Sequence, residues 1–129
     1  MMNDFHFSQA SENNLYGVHP DLVRVVRLAL SHSTLDFSVI EGLRDPVRQQ
    51  ELVNRGKSQT LNSRHLTGHA VDLAPWVNNT IPWEDWTAFA MVADAMKQAA
   101  ATLGIPLTWG GDWKMRDGPH FELPRKDYP

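Results

Sequence analysis

The chain has 129 residues, no cysteine and a formal net charge of −3. This size indicates a single globular domain, and the missing cysteines exclude disulfide scaffolds, thiolate metal sites and cysteine nucleophiles. Its charges are interspersed and no apolar stretch approaches the length of a membrane span, so we expect no nucleic-acid partner, no membrane insertion and no export signal.

The N-terminal part of the chain changes character at Pro20. Residues 1–17 are polar and aperiodic, which predicts a loosely structured arm that docks through Phe5 and Phe7. From Pro20, apolar residues recur at spacings of three and four and predict a helix of about 12 residues. The alternating residues 36–41 then predict a strand.

The middle of the chain contains a second, short helix and a charged strand. Asp45 is a good N-cap residue, Gly56 is a typical helix stop, and together they predict a helix over residues 47–55. Residues 70–74 form an apolar run, which predicts a strand that carries one carboxylate, Asp72.

The C-terminal part begins with the longest predicted helix. Apolar residues recur with helical spacing over residues 86–103, and Gly104 stands where a helix-ending glycine belongs. Two short strands follow at residues 107–109 and 120–123. The order of elements predicts a single α+β domain over residues 1–129, with about three helices on one side of a small antiparallel sheet and a site on its open face.

Asp72 is the residue that most needs an explanation. A carboxylate in an apolar strand costs several kcal/mol unless it is paired, hydrogen-bonded or bound to a cation. His65 lies upstream, and Gly68 permits the turn that brings the imidazole back towards the strand. With His120 as a third ligand, two histidines and one carboxylate make an open zinc site of the hydrolase type, and Asp117 lies close enough to be a general base.

Each of these residues also has a purely structural interpretation. A single histidine is more often a hydrogen-bonded structural residue than a metal ligand, and Asp117 is a typical turn residue before the Gly-Pro sequence that follows it. Asp72 can instead pair with an arginine such as Arg44. Glu122 is expected to point away from the site and is the poorer candidate for a base.

Three motifs resemble those of a known enzyme family. The pattern SxHxxGxAxD at residues 63–72, with DxxHF at residues 117–121, resembles the signature of the zinc D-alanyl-D-alanine carboxypeptidase family. The sequence WGGDW at residues 109–113, followed by DGPHFE at residues 117–122, more closely resembles its L-alanyl-D-glutamate endopeptidase branch, known as phage endolysins. The similarity spans about residues 37 to 123.

The resemblance implies a role for each matching residue. It implies that three ligands bind one Zn²⁺ ion, that Asp117 is the general base and that an arginine stabilises the oxyanion. The implied ligands are His65, Asp72 and His120; the implied oxyanion donor is Arg44; the implied substrate-binding residues are Ser63, Gln49 and Trp109. Ser63 either contacts substrate or orients His65, and Asp112 is expected to support a zinc-bound imidazole.

The function implied is hydrolysis of the L-Ala–D-Glu bond in peptidoglycan stem peptides during phage-driven lysis. The alternatives are a D-Ala-D-Ala carboxypeptidase or dipeptidase of the same family, and a non-catalytic module that keeps its zinc. We expect a monomer without a separate wall-binding module. It would accumulate in the host cytoplasm, leave through a separate membrane pore protein and act on peptidoglycan in the periplasm.

Overall fold

The computed structural model describes residues 3–58 and 60–129. Within them lie four α-helices, four strands and two 3₁₀ helices. The α-helices are α1 (Gln9–Leu15), α2 (Pro20–His32), α3 (Pro46–Asn54) and α4 (Trp86–Leu103). The strands are β1 (Phe37–Glu41), β2 (Ala70–Pro75), β3 (Thr108–Trp109) and β4 (His120–Glu122), and the 3₁₀ helices span Arg64–Thr67 and Gly110–Asp112. None of these helices is long and apolar enough to cross a membrane.

The strands form one antiparallel sheet in the order β1-β2-β4-β3. β2 lies in the middle, and its Val71 and Leu73 are fully buried in the core. Because successive side chains of a strand point to opposite faces, Asp72 lies on the face away from that core. The register places Asp72 directly opposite His120 of β4.

Helices α2 and α4 cover the core face of the sheet, whereas α3 lies on the side of the cavity, so fewer than the expected three helices form this layer. α2 packs against α4, α4 packs against β2, and α1 packs against β1. The predicted α+β architecture with a small antiparallel sheet is confirmed. The helix ends also agree with the sequence signals, because Asp45 caps α3 through its side chain and Gly104 ends α4 in the left-handed conformation at φ +68°.

The N-terminal segment is more ordered than predicted. Residues 1 and 2 of the expected arm lie outside the described residues, but α1 forms within it, with the Ser8 side chain as its N-cap. The Asn14 amide donates a hydrogen bond to the carbonyl of Val39 at 2.8 Å. The prediction of a loosely structured arm is therefore wrong for this helix, whereas docking through Phe5 and Phe7, which pack against the core, is confirmed.

Candidate active site

Three predicted metal ligands meet on the open face of the sheet. His65, Asp72 and His120 each offer one ligand atom, and these atoms lie within 4.8 Å of one another. Oδ1 of Asp72 is 3.2 Å from Nε2 of His65 and 3.4 Å from Nδ1 of His120. The three side chains come from the first 3₁₀ helix, β2 and β4, so residues distant in sequence form one group that can hold a metal ion.

Local structure fixes the orientation of His65. The Ser63 hydroxyl accepts a hydrogen bond from the backbone N–H of His65 and caps the 3₁₀ helix, which ends at Gly68 with φ +76°. Nδ1 of His65 lies 2.8 Å from the carbonyl of Gly42. A carbonyl only accepts, so Nδ1 donates to it, and Nε2 is the ring nitrogen that faces Asp72.

Glu122 orients His120 in the same way. Its Oε1 lies 2.7 Å from Nε2 of His120, which leaves Nδ1 of the imidazole facing Asp72. The expectation that Glu122 points away from the site is wrong. Residues two apart on a strand share a face, so Glu122 and His120 are on the same side of β4.

The electrostatics of this group favour a bound cation. The distant ring nitrogens of both histidines contact acceptors, and the two near ring nitrogens converge with the Asp72 carboxylate on one point that a cation can occupy. Burial opposes ionisation of Asp72, yet its contacts with His120 and His65 hold the pKa of this carboxyl well below its usual range. Burial also disfavours charge on His120, but Asp72 and Glu122 raise its pKa to about 9.

Arg44 lies beside the ligand group and is held on two sides. Its Nε and Nη2 donate to the two carboxylate oxygens of Glu41 at 2.8 and 2.7 Å, and its Nη1 donates to Oε1 of Gln49 at 2.8 Å. Nη2 is 3.7 Å from Oδ2 of Asp72. Gln49 is 1% exposed and its amide also donates to the carbonyl of Thr60, so the structure gives it a role in holding Arg44 rather than the expected contact with substrate.

A cavity of about 1080 Å³ opens over these residues. Its lining includes the three ligand candidates, Arg44, Ser63 and Asp117. Partial burial in the cavity wall and the nearby Asp72 carboxylate raise the pKa of Asp117 above its ordinary value. The structure therefore brings together the expected base, oxyanion donor and ligand group around one space.

Comparison with known proteins agrees with this arrangement. The family model for phage L-alanyl-D-glutamate peptidases matches residues 2–128. The chain belongs to this peptidase family. The L-alanyl-D-glutamate peptidase of Escherichia phage T5 is 38% identical over 127 residues, which cover 96% of this chain and 93% of that protein. The L-alanyl-D-glutamate peptidase of Listeria phage A118 is 33% identical over 95 residues, covering 73% of this chain and 32% of the relative.

Solved structures agree with the membership in the peptidase family. The L-Ala D-Glu endopeptidase ChiX of Serratia marcescens superposes with a TM-score of 0.91 at 54% identity, covering 98% of this chain and 96% of that one. The vancomycin-resistance D,D-dipeptidase VanXYg has a TM-score of 0.53 at 16% identity, over 82% of this chain and 50% of its own. This second similarity concerns the fold alone.

The aromatic residue at the site differs from the one expected. Trp109 is 8% exposed, stacks on Phe121 and Trp86, and donates its indole N–H to the carbonyl of Gly118 at 2.7 Å. Its predicted contact with substrate is therefore wrong, because the side chain belongs to the core. Trp113 instead lines the cavity, with its ring 5.0 Å from that of His120.

Two other expectations for this peptidase site have definite outcomes. Asp112 does not support an imidazole, since its carboxylate is exposed and pairs with Lys97 at 3.0 Å. Ser63 both caps the helix that carries His65 and lines the cavity, so its two proposed roles are compatible.

The sequence did not predict a role for Glu41, which binds Arg44 through both carboxylate oxygens. The only sequence signal for this contact is that the two residues are three positions apart.

Proposed function

We propose that this chain is a zinc-dependent endopeptidase that hydrolyses the L-Ala–D-Glu bond of peptidoglycan stem peptides and acts as a phage endolysin. The convergence of two imidazole nitrogens and one carboxylate on a cavity that Asp117 and Arg44 also line carries this proposal. Family membership over nearly the whole chain supports the choice of bond.

The donor set fits zinc. Zn²⁺ favours imidazole nitrogen and carboxylate oxygen, and catalytic sites keep three protein ligands with one open position. His65, Asp72 and His120 would hold the ion. The ring nitrogen of each histidine that faces away from Asp72 contacts an acceptor, Gly42 for His65 and Glu122 for His120, which is a typical support for a ligating histidine. When bound, zinc supplies a Lewis acid that polarises a carbonyl and acidifies water.

The remaining chemistry belongs to residues of the chain. Asp117 takes a proton from the attacking water and returns it to the leaving amine, a role that its raised pKa favours. Glu41, Gln49 and the nearby Asp72 face four of the five N–H donors of Arg44. The fifth donor, the second N–H on Nη1, is available to the developing oxyanion. Because Arg44 is already fixed, it needs no reorganisation during the reaction.

Digestion of purified muropeptides tests the proposed bond. The zinc-loaded protein should release products with a new N-terminal D-Glu, detected by mass spectrometry, and a chelator should abolish the release. Free D-Ala as the product would contradict the endopeptidase assignment in favour of the D,D-carboxypeptidase alternative. Zinc binding without any cleavage would favour a non-catalytic module.

The cellular role follows from the same proposal. The protein would act as a monomer, without nucleic acid as a partner, accumulate in the host cytoplasm and reach the periplasm through a separate membrane pore protein. Expression in a Gram-negative host should leave cells intact until the inner membrane is permeabilised, when turbidity should fall. Lysis without permeabilisation would contradict the dependence on a pore.

A further inference from the structure

The cavity has a different charge balance from the whole chain. Among the described residues that line it, seven are Lys or Arg and four are Asp or Glu, whereas the chain has 12 basic and 15 acidic residues. Most of the basic residues of an acidic protein are therefore gathered around one opening. Such a concentration of positive charge attracts anionic ligands.

Three of the four carboxylates that line the cavity already have partners. Glu41 is bound by Arg44, Asp72 lies between the two ligand histidines, and Glu122 contacts His120. The buried Arg64 donates to the carbonyls of Leu123 and Tyr128. The positive charge available to a ligand is therefore at the rim.

One wall of the rim carries three cations, which we call the cationic wall: Arg48, Arg55 and Lys57. Arg48, Leu52 and Arg55 follow the spacing of one helix face on α3 and its C-cap, and all three line the cavity. Arg48 is 3.7 Å from Glu41. Over residues 3–58 and 60–129, no carboxylate pairs with the exposed side chains of Arg55 and Lys57.

We infer that the cationic wall is a carboxylate-binding subsite that favours stem peptides whose third residue keeps a free side-chain carboxylate. This inference rests on the proposed function, because it concerns the substrate of the same cavity. A guanidinium binds a carboxylate through two parallel hydrogen bonds and remains charged at any physiological pH. Diaminopimelate at the third position offers such a carboxylate beyond the scissile bond, and amidation removes its charge with little change in size.

The test uses two soluble muropeptides that differ only in amidation of the third-residue carboxylate. We expect the zinc-loaded wild-type protein to cleave the free acid with a kcat/KM about tenfold higher, as one charge-assisted contact provides. In the double variant R55Q/K57Q the ratio should fall below about twofold. The control R24Q removes an exposed arginine of α2 that does not line the cavity and whose ion pair with Asp21 is loose, at 3.6 Å, and it should keep the wild-type ratio.

Each outcome has a separate meaning. Equal rates on the two substrates in the wild type, or a preserved tenfold ratio in R55Q/K57Q, would overturn the subsite. A preference that weakens as salt is added would support it, because exposed charges are screened. If zinc-loaded wild-type protein cleaves neither muropeptide, the proposed function fails instead.

Discussion

Nε2 of His120 lies 2.7 Å from Oε1 of Glu122, and this contact determines which imidazole nitrogen faces Asp72. The variant E122Q keeps the size of the side chain but no longer accepts through a charged oxygen. Loss of such a support typically lowers metal affinity 10- to 100-fold. We expect that loss for E122Q in a zinc titration against a competing chelator.

The matched control for this variant is E84Q, which neutralises an exposed glutamate outside the cavity lining. It should bind zinc as the wild type does. Wild-type affinity in E122Q would show that the contact with His120 is dispensable for metal binding.

Substitution of Asp117 should lower turnover without changing zinc binding. The variant D117N keeps the shape of the side chain but cannot take a proton, so kcat should fall by about 10²- to 10⁴-fold. Zinc content should stay at the wild-type level, because Asp117 is not part of the ligand group. The control D112N changes an exposed aspartate that pairs with Lys97 and should leave kcat unaltered. Full turnover by zinc-loaded D117N would remove Asp117 from the mechanism.

Features governed by local chemistry were predictable from the sequence. Asp45 and Gly104 mark helix ends through capping preferences that need no tertiary context. The group of candidate metal ligands was also predictable, because a carboxylate within an apolar strand requires a partner, and Asp72 has two histidines beside it.

Features that depend on tertiary packing were not predictable. α1 has only seven residues and is stabilised by its contacts with β1 rather than by its own propensity. Trp109 and Trp113 flank the same glycine-rich turn, and only the path of the second 3₁₀ helix decides which one enters the core. The side chain of Gln49 likewise has no sequence signal for its contact with Arg44.

The two tryptophans should respond oppositely to truncation. W109A removes a buried aromatic side chain and should lower the free energy of unfolding by about 3–5 kcal/mol. W113A removes a side chain that is 40% exposed, so stability should change by less than about 1 kcal/mol while kcat/KM falls roughly fivefold to tenfold. Urea denaturation and muropeptide digestion measure the two effects. A stable W109A together with a destabilised W113A would contradict this assignment.

The metal-free protein should lose stability as the pH rises. Although burial opposes it, hydrogen bonds with Asp72 and Glu122 raise the pKa of His120 from 6.5 to about 9. Between these values the folded protein keeps a proton that the unfolded chain releases, so the stabilisation is complete below pH 6.5 and disappears as the pH rises through about 9. Urea denaturation in the presence of a chelator measures this decline, which should be smaller in H120Q. A free energy of unfolding independent of pH over this interval would contradict the prediction.

Gly68 ends the 3₁₀ helix that carries His65, one of the three candidate metal ligands. Its φ of +76° favours glycine, and a Cβ at this position would lie 2.4 Å from the carbonyl oxygen of Gly17. G68A should therefore be less stable than the control G104A, which has a φ of +68° but open space around the added methyl group. We expect about 1–2 kcal/mol for G104A from conformational strain alone and a larger loss for G68A in urea denaturation. G68A should also bind zinc more weakly because the displaced turn carries His65, and equal stability of the two variants would contradict the role of the close contact with Gly17.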